Sequence, residues 1–243
     1  MITFDKVCFS YNTRPVLRDI SFSIASGEKV AVLGGSGEGK TTILRLIVGL
    51  LKPDSGRVLI DGEDITGKTE GQLGPIRKKF SIVFQEGALF DSMDVKENVA
   101  FSLREYTKMS EQEIEERVKE LLGTVGMEHA LHLMPDELSG GMHRRVAIAR
   151  ALAACDPEMF LYDEPTSGLD PVSADNICRL ILDLSKGGKG FIIVTHKMYD
   201  AMRVAERFMF MKEGGIVFDG DRDGLVHSAV PEIRVFLSEL SLR

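Results

Sequence analysis

Gly34-Gly35-Ser36-Gly37-Glu38-Gly39-Lys40-Thr41 decides the fold. The stretch fits G-x-x-x-x-G-K-[ST]. Glycines let the main chain wrap closely round phosphates with its N–H groups turned inward. Lys40 stands where it meets β- and γ-phosphates, and Thr41 where it holds Mg²⁺. Just upstream, Lys29 to Leu33 reads as a short apolar strand; just downstream, Thr41 to Leu50 has a helical pattern. Strand, glycine loop and helix aim loop amides and the positive end of a helix at one anion. The expectation is a nucleoside triphosphate held by Gly34, Gly35, Ser36, Gly37, Glu38, Gly39, Lys40 and Thr41.

Outward from the loop, strands and helices alternate. Met159 to Tyr162 and Phe191 to Thr195 read as buried parallel strands with a helix near Ala174 to Leu184 between them. Ile2 to Tyr11 and Leu17 to Ile24 alternate apolar and polar residues like antiparallel strands, and Arg57 to Ile60 and Phe80 to Phe84 are further strand candidates. The middle changes character. Ser110 and Glu113 form a capping box ahead of a helix to Thr124, with Ile114, Val118, Leu121 and Leu122 on one face. A second helix is expected from about Gly140 to Ala153. The segment from about Gly87 to Asp156 thus looks like a helical insertion into a layered α/β core.

Composition narrows the function. Of 243 residues, 44% are hydrophobic, enough for an ordinary core, and the net charge of −7 argues against a nucleic-acid partner. Apolar runs such as Phe191 to Val194 are far short of the ~20 residues that cross a bilayer. Met1 to Lys6 has neither the basic start nor the long apolar stretch of a signal peptide, so a cytoplasmic chain is expected. Cys8, Cys155 and Cys178 form no CxxC pair and are expected to be small buried side chains.

A second acidic element completes the phosphate site. Met159-Phe160-Leu161-Tyr162-Asp163-Glu164 is an apolar strand ending in two carboxylates, where ligands of parallel sheets bind. Asp163 is read as a Mg²⁺ ligand, through water, and Glu164 as the general base for the attacking water. A third element, Leu138-Ser139-Gly140-Gly141-Met142 followed by His143 to Leu152, is a serine-glycine loop opening a helix, a second anion-binding device.

With these three in order, the chain resembles the ABC ATPase family over its whole length; the LSGGQ signature of that family stands here as LSGGM. The resemblance implies further assignments. Tyr11 is the aromatic that stacks on adenine, and the nucleotide set extends to Val16 and Thr42. Gln85 is the Q-loop glutamine, catalytic and metal-contacting; Ser167 to Asp170 is the D-loop, and His196 the switch histidine. It implies a P-loop NTPase (RecA-like) α/β core with a mostly parallel sheet, an N-terminal antiparallel β subdomain and an inserted α-helical subdomain. One domain would span 1–243: core at 1–86 and 157–220, helical subdomain at 87–156, and a C-terminal helical extension at 221–243. It also implies a head-to-tail homodimer in which Ser139, Gly140, Gly141 and Asp170 of one copy complete the site of the other. The motor would sit on the cytoplasmic face of the inner (cell) membrane, hydrolysing ATP with Mg²⁺ for integral membrane permease subunits. Alternatives are a motor for a different substrate or a non-transport ABC ATPase.

Several segments resemble the Mla-type ATPases, which serve lipid transport with mammalian-cell-entry (MCE) domain proteins. They are the LSGGM motif, Gln85 to Met93 with Glu97 to Phe101, Thr195-His196-Lys197-Met198, and the tail Val230 to Leu237. Two departures from the family pattern stand out. Glu38 brings a carboxylate into the phosphate loop and is expected to face outward. Met142 lacks the amide of the usual glutamine. Phe90, Met93 and Phe101 are either permease contacts or core packing. Pro231 with Ile233, Phe236, Leu237 and Leu240 at helical spacing forms a stripe that buries against either the chain's own core or a partner.

Overall fold

The computed structural model describes residues 1–154 and 156–238. In chain order the strands are β1 (Ile2–Tyr11), β2 (Arg14–Ile24), β3 (Lys29–Gly34), β4 (Ser55–Ile60), β5 (Glu63–Asp64), β6 (Phe80–Val83), β7 (Met159–Asp163), β8 (Gly190–Thr195), β9 (Arg207–Lys212) and β10 (Gly215–Asp221). The helices are α1 (Lys40–Ile47), α2 (Glu70–Arg77), α3 (Val95–Tyr106), α4 (Glu111–Thr124), α5 (Gly140–Ala154), α6 (Pro171–Leu184), α7 (Met198–Val204), α8 (Arg222–Val226) and α9 (Pro231–Ser238).

Two sheets form. One is antiparallel, in the order β2-β1-β4-β5; the other runs β10-β9-β3-β8-β7-β6 and is parallel except for the β9–β10 hairpin. The larger sheet is sandwiched, and strand alternation decides which layer each residue joins. Ala31, Leu33, Phe160, Tyr162, Phe191 and Ile193 face a core shared with the apolar sides of α3, α4, α5 and α6. Val30, Val32, Leu161, Ile192 and Val194 face the opposite core, filled by α1 and the inner face of the antiparallel sheet. That double burial is why β3, β7 and β8 read as unbroken apolar runs.

Local chemistry sets the element ends. α1 stops at Ile47, three residues before the expected Leu50, because Gly49 adopts φ 66 with Leu73 packed against it. α6 starts earlier than Ala174: Asp170 caps it through bonds from the N–H groups of Val172 and Ser173, with Pro171 in the first turn. α4 has the Ser110–Glu113 capping box. Cys178 is buried, its thiol pushed up to about 12 by burial, whereas Cys8 is only half-buried and accepts a bond from the Asp19 N–H. Cys155 lies outside the described residues.

The apolar stripe of α9 docks on its own chain. Ile233 is fully buried, the Phe236 ring meets Phe210 edge-on at 5.2 Å, and Glu232 pairs with Lys212. Leu240, on the same expected stripe, lies outside the described residues. Phe90 and Phe101 pack edge to face at 5.0 Å, with the Arg150 guanidinium over Phe90; the loop that carries Phe90 is held by the buried Asn98 amide.

Candidate active site

The phosphate loop connects β3 to α1. Gly39 is the N-cap of α1 at φ 96, and a Cβ there would stand 2.7 Å from the Leu17 side chain and 3.1 Å from Val16. Only glycine fits both the left-handed backbone and the close approach. Lys40 then folds back over the loop, its ammonium donating to the carbonyls of Gly34 (3.0 Å) and Gly35 (2.8 Å) and standing 3.9 Å from Glu164. Burial lowers the pKa of Lys40, partly offset by the negative charges of Glu164, Asp163 and Glu38.

The carboxylates arrive from the adjacent strand ends. Thr41 Oγ1 donates to Asp163 Oδ1 at 2.8 Å. Burial raises the pKa of Asp163 against the lowering effect of that bond. Glu164 takes the left-handed backbone at φ 47, a costly conformation for a residue with a Cβ. Its carboxylate accepts from Thr195 Oγ1 (3.0 Å) and the His196 N–H (3.1 Å), and lies 2.9 Å from His196 Nδ1. Parallel register explains the meeting: Asp163 sits beside Val194, so the residues that follow each strand converge.

These groups line an open cleft of about 1100 Å³, as large as clefts that take drug-sized ligands, about 300–1,000 Å³. Of the expected residues, Tyr11, Val16, Gly35, Ser36, Gly37, Gly39, Lys40, Thr41, Thr42, Gln85, Asp163, Glu164 and His196 line it. Gly34 contributes its carbonyl to Lys40 from beneath. Glu38 is partly buried and is not part of the lining; its charge acts on Lys40 and Lys212.

Residues the sequence reading missed also line the cleft: Arg14, Arg45, Phe84, Glu86, Ala88 and Phe236. Arg45 follows Thr41 by four residues on α1, so helical periodicity alone places it on the same face; its guanidinium meets Tyr11 Oη at 3.3 Å. Phe236 carries no local signal, since only the docking of α9 brings it there.

Ser139, Gly140, Gly141 and Asp170 do not line this cleft. Ser139 and Gly140 are exposed at the start of α5, with Ser139 Oγ accepting from the Met142 N–H at 3.3 Å. Met142 is half-buried and packs toward the helical core. Asp170 spends its carboxylate on capping α6.

The donors fit a hard divalent cation. Thr41 and Asp163 offer a hydroxyl and a carboxylate oxygen in contact with one another, and Gln85 adds a side-chain amide at the rim. Among the described residues no cluster of three or more His, Cys, Asp or Glu could hold a metal alone. Such a pair suits Mg²⁺, which keeps waters and takes substrate phosphate oxygens for its remaining ligands.

A family model described as ABC transporter matches residues 17–167. The chain is similar to the intermembrane phospholipid transport system ATP-binding protein MlaF of Escherichia coli (strain K12), with 37% identity over 242 residues, 99% of this chain and 90% of that protein. It is also similar to the probable ribonucleotide transport ATP-binding protein mkl of Mycobacterium tuberculosis, with 40% identity over 230 residues, 94% of this chain and 64% of that one. Among solved structures it resembles the dimeric post-hydrolysis state of the ATP-binding cassette MJ0796 bound to ADP and Pi. The TM-score is 0.84 at 33% identity, covering 91% of this chain and 98% of that chain.

Proposed function

The chain belongs to the ABC transporter family as an ATP-hydrolysing cassette, and from that premise we propose that it is the motor subunit of a lipid-moving transporter. The observation that carries the ATPase half is the convergence of Lys40, Thr41, Asp163, Glu164 and His196 on one cleft. The lipid half is carried by similarity to MlaF along nearly the whole chain.

In this reading Tyr11 and Val16 hold the base, the loop amides of residues 34–42 and Lys40 hold the phosphates, and Thr41, Asp163 and Gln85 hold Mg²⁺. The cation, when bound, neutralises phosphate charge. Glu164 accepts the proton of the attacking water, and His196 orients Glu164 and meets the γ-phosphate. Ser139, Gly140, Gly141 and Asp170 serve the other copy of a head-to-tail homodimer, a reading supported by their absence from the lining of their own cleft and by similarity to a dimeric cassette. Nucleotide that contacts both copies only when they are closed favours closure by its differential affinity, and hydrolysis releases it.

No helix among the described residues is long and apolar enough to cross a membrane. The proposed partners are integral membrane permease subunits and an MCE-domain protein as the lipid carrier, with the motor peripheral on the cytoplasmic face, a reading supported by similarity to the transport protein MlaF. The exposed edge of Phe90 beside the Gln85 loop is the proposed contact. The domain division proposed is a core of 1–86 and 157–220, a helical part at 87–156 and an extension at 221–243.

The test is reconstitution of the motor with a candidate permease and an MCE-domain protein. Purified protein should hydrolyse ATP, and proteoliposomes should exchange labelled phospholipid in an ATP-dependent way. ATP-driven uptake of a ribonucleotide with no phospholipid movement would favour the substrate named for the mycobacterial relative.

A further inference from the structure

A buried polar cluster beside the cleft is not used by the nucleotide chemistry. Thr166 is fully buried, and its hydroxyl donates to Asp200 Oδ2 at 2.5 Å. The ammonium of Lys197 donates to the Thr166 carbonyl at 2.6 Å, so α7 and the residue before it grip Thr166 at both its side chain and its main chain. The Lys197 N–H donates in turn to Thr195 Oγ1 at 3.0 Å, and that hydroxyl donates to Glu164. Thr166, Lys197 and Asp200 do not line the cleft.

The other side of the same turn rests on the signature helix. A Cβ on Gly140 would stand 3.2 Å from Leu169, one on Gly141 would stand 3.2 Å from Ser173 Oγ, and Arg144 reaches the Ser167 carbonyl at 3.5 Å. The 166–170 turn is thus a strut between the strand end bearing His196 and the start of α5. Apolar packing would hold such a turn at less desolvation cost than a nearly buried carboxylate and a half-buried ammonium. Charge-assisted hydrogen bonds add fixed direction.

We propose that Lys197 and Asp200 are positioning residues: they clasp Thr166 so that the 166–170 turn moves as one piece with Thr195 and His196, and this sets the rate of ATP turnover. The proposal rests on the ATPase reading above. The clasp touches no nucleotide; it acts through Thr195 on the carboxylate of Glu164, and through the turn on the surface the signature helix presents.

The test compares Lys197→Met, Lys197→Arg, Thr166→Val and Thr166→Ser in the full chain, by steady-state ATP hydrolysis and by thermal unfolding. Lys197→Met and Thr166→Val should lower kcat about tenfold or more with KM for ATP within about twofold, a loss confined to the transition state. Lys197→Arg and Thr166→Ser keep the donors and should recover at least half the turnover. Wild-type kcat in both Lys197→Met and Thr166→Val would overturn the clasp. So would a fall in kcat matched by a raised KM and a lowered melting temperature that the conservative variants do not rescue, since packing alone would then account for it. Should Lys197→Met fail to fold, Thr166→Val, which keeps the shape of the side chain, decides by the same measures. The unaltered protein run in parallel separates the two claims: without turnover there, the ATPase reading itself fails and the clasp with it.

Discussion

Two helix starts in this molecule carry the glycine-rich turn that suits an anion, and they are finished to different degrees. The start of α1 is closed within one chain. Gly39 is pinned under Val16 and Leu17, Lys40 is bonded to the loop carbonyls, and Thr41 is bonded to Asp163 from across the sheet. The start of α5 is open: Ser139 and Gly140 are exposed, and the serine hydroxyl accepts only from its own helix. The same backbone device therefore reads differently by context. The start that its own chain completes is buried and constrained; the other, proposed above to serve a second copy, is exposed.

The largest test addresses the closed site. Glu164→Gln keeps size and backbone while removing the base, so turnover should fall at least ~10²-fold with ATP binding retained and a longer-lived dimer on size-exclusion chromatography. Near-normal hydrolysis by a clean preparation would remove Glu164 from the chemistry.

The next test addresses the open site. Tethered heterodimers of Ser139→Arg with Lys40→Ala contain one intact composite site. They should hydrolyse at roughly half the wild-type rate if two equivalent sites act independently, while each tethered homodimer is inactive. No activity above the homodimers, with ATP bound at the intact site, would break the idea that α5 serves a partner.

Stability should separate the two starts as well. Gly39→Ala forces a Cβ into the left-handed backbone and against Leu17, and should lower unfolding free energy by about 1–3 kcal/mol in urea titration. Gly140→Ala meets only the tip of Leu169 and should stay within about 0.5 kcal/mol. Equal losses would mean the open site is as constrained as the closed one.

Two smaller effects sharpen the picture of the closed site. Glu38 is not part of the cleft lining, so Glu38→Ser should change ATP affinity less than about threefold; a tenfold tightening would show its carboxylate acting on the triphosphate. Asp163 titrates upward in the apo fold because it is buried, so the native state holds its proton more tightly than the unfolded chain. Apo stability should fall as pH rises from the ordinary aspartate range through this elevated pKa. Asp163→Asn should flatten that slope in melting curves from pH 4 upward.

Much of this was legible in sequence because the informative segments are local. The phosphate loop, the apolar strand ending at Asp163 and Glu164, and the Ser110–Glu113 cap each announce themselves within a dozen residues. The unread parts depend on distant packing. The β10 strand has an intermediate-to-exposed pattern and exists by pairing with β9, and α2 carries Pro75 in its interior, which propensity alone would exclude. Nothing local marks Thr166 or Thr195; the carboxylates they bond, Asp200 and Glu164, stand 34 and 31 positions away along the chain. Phe236 enters the cleft only because Ile233 anchors α9 on the core.

The left-handed backbone at Glu164 has a consequence for how this protein could be engineered or could drift. At φ 47 glycine or asparagine is more comfortable than glutamate, by about 1 kcal/mol. A heat-resistance screen that ignored turnover would weigh that backbone relief against the bonds the buried carboxylate accepts from Thr195 and His196, so glycine or asparagine would spread at position 164 only where other contacts replaced those bonds. A selection that also counts ATP consumed would tie position 164 to the proposed base role, with thermal robustness recruited from positions remote from the cleft.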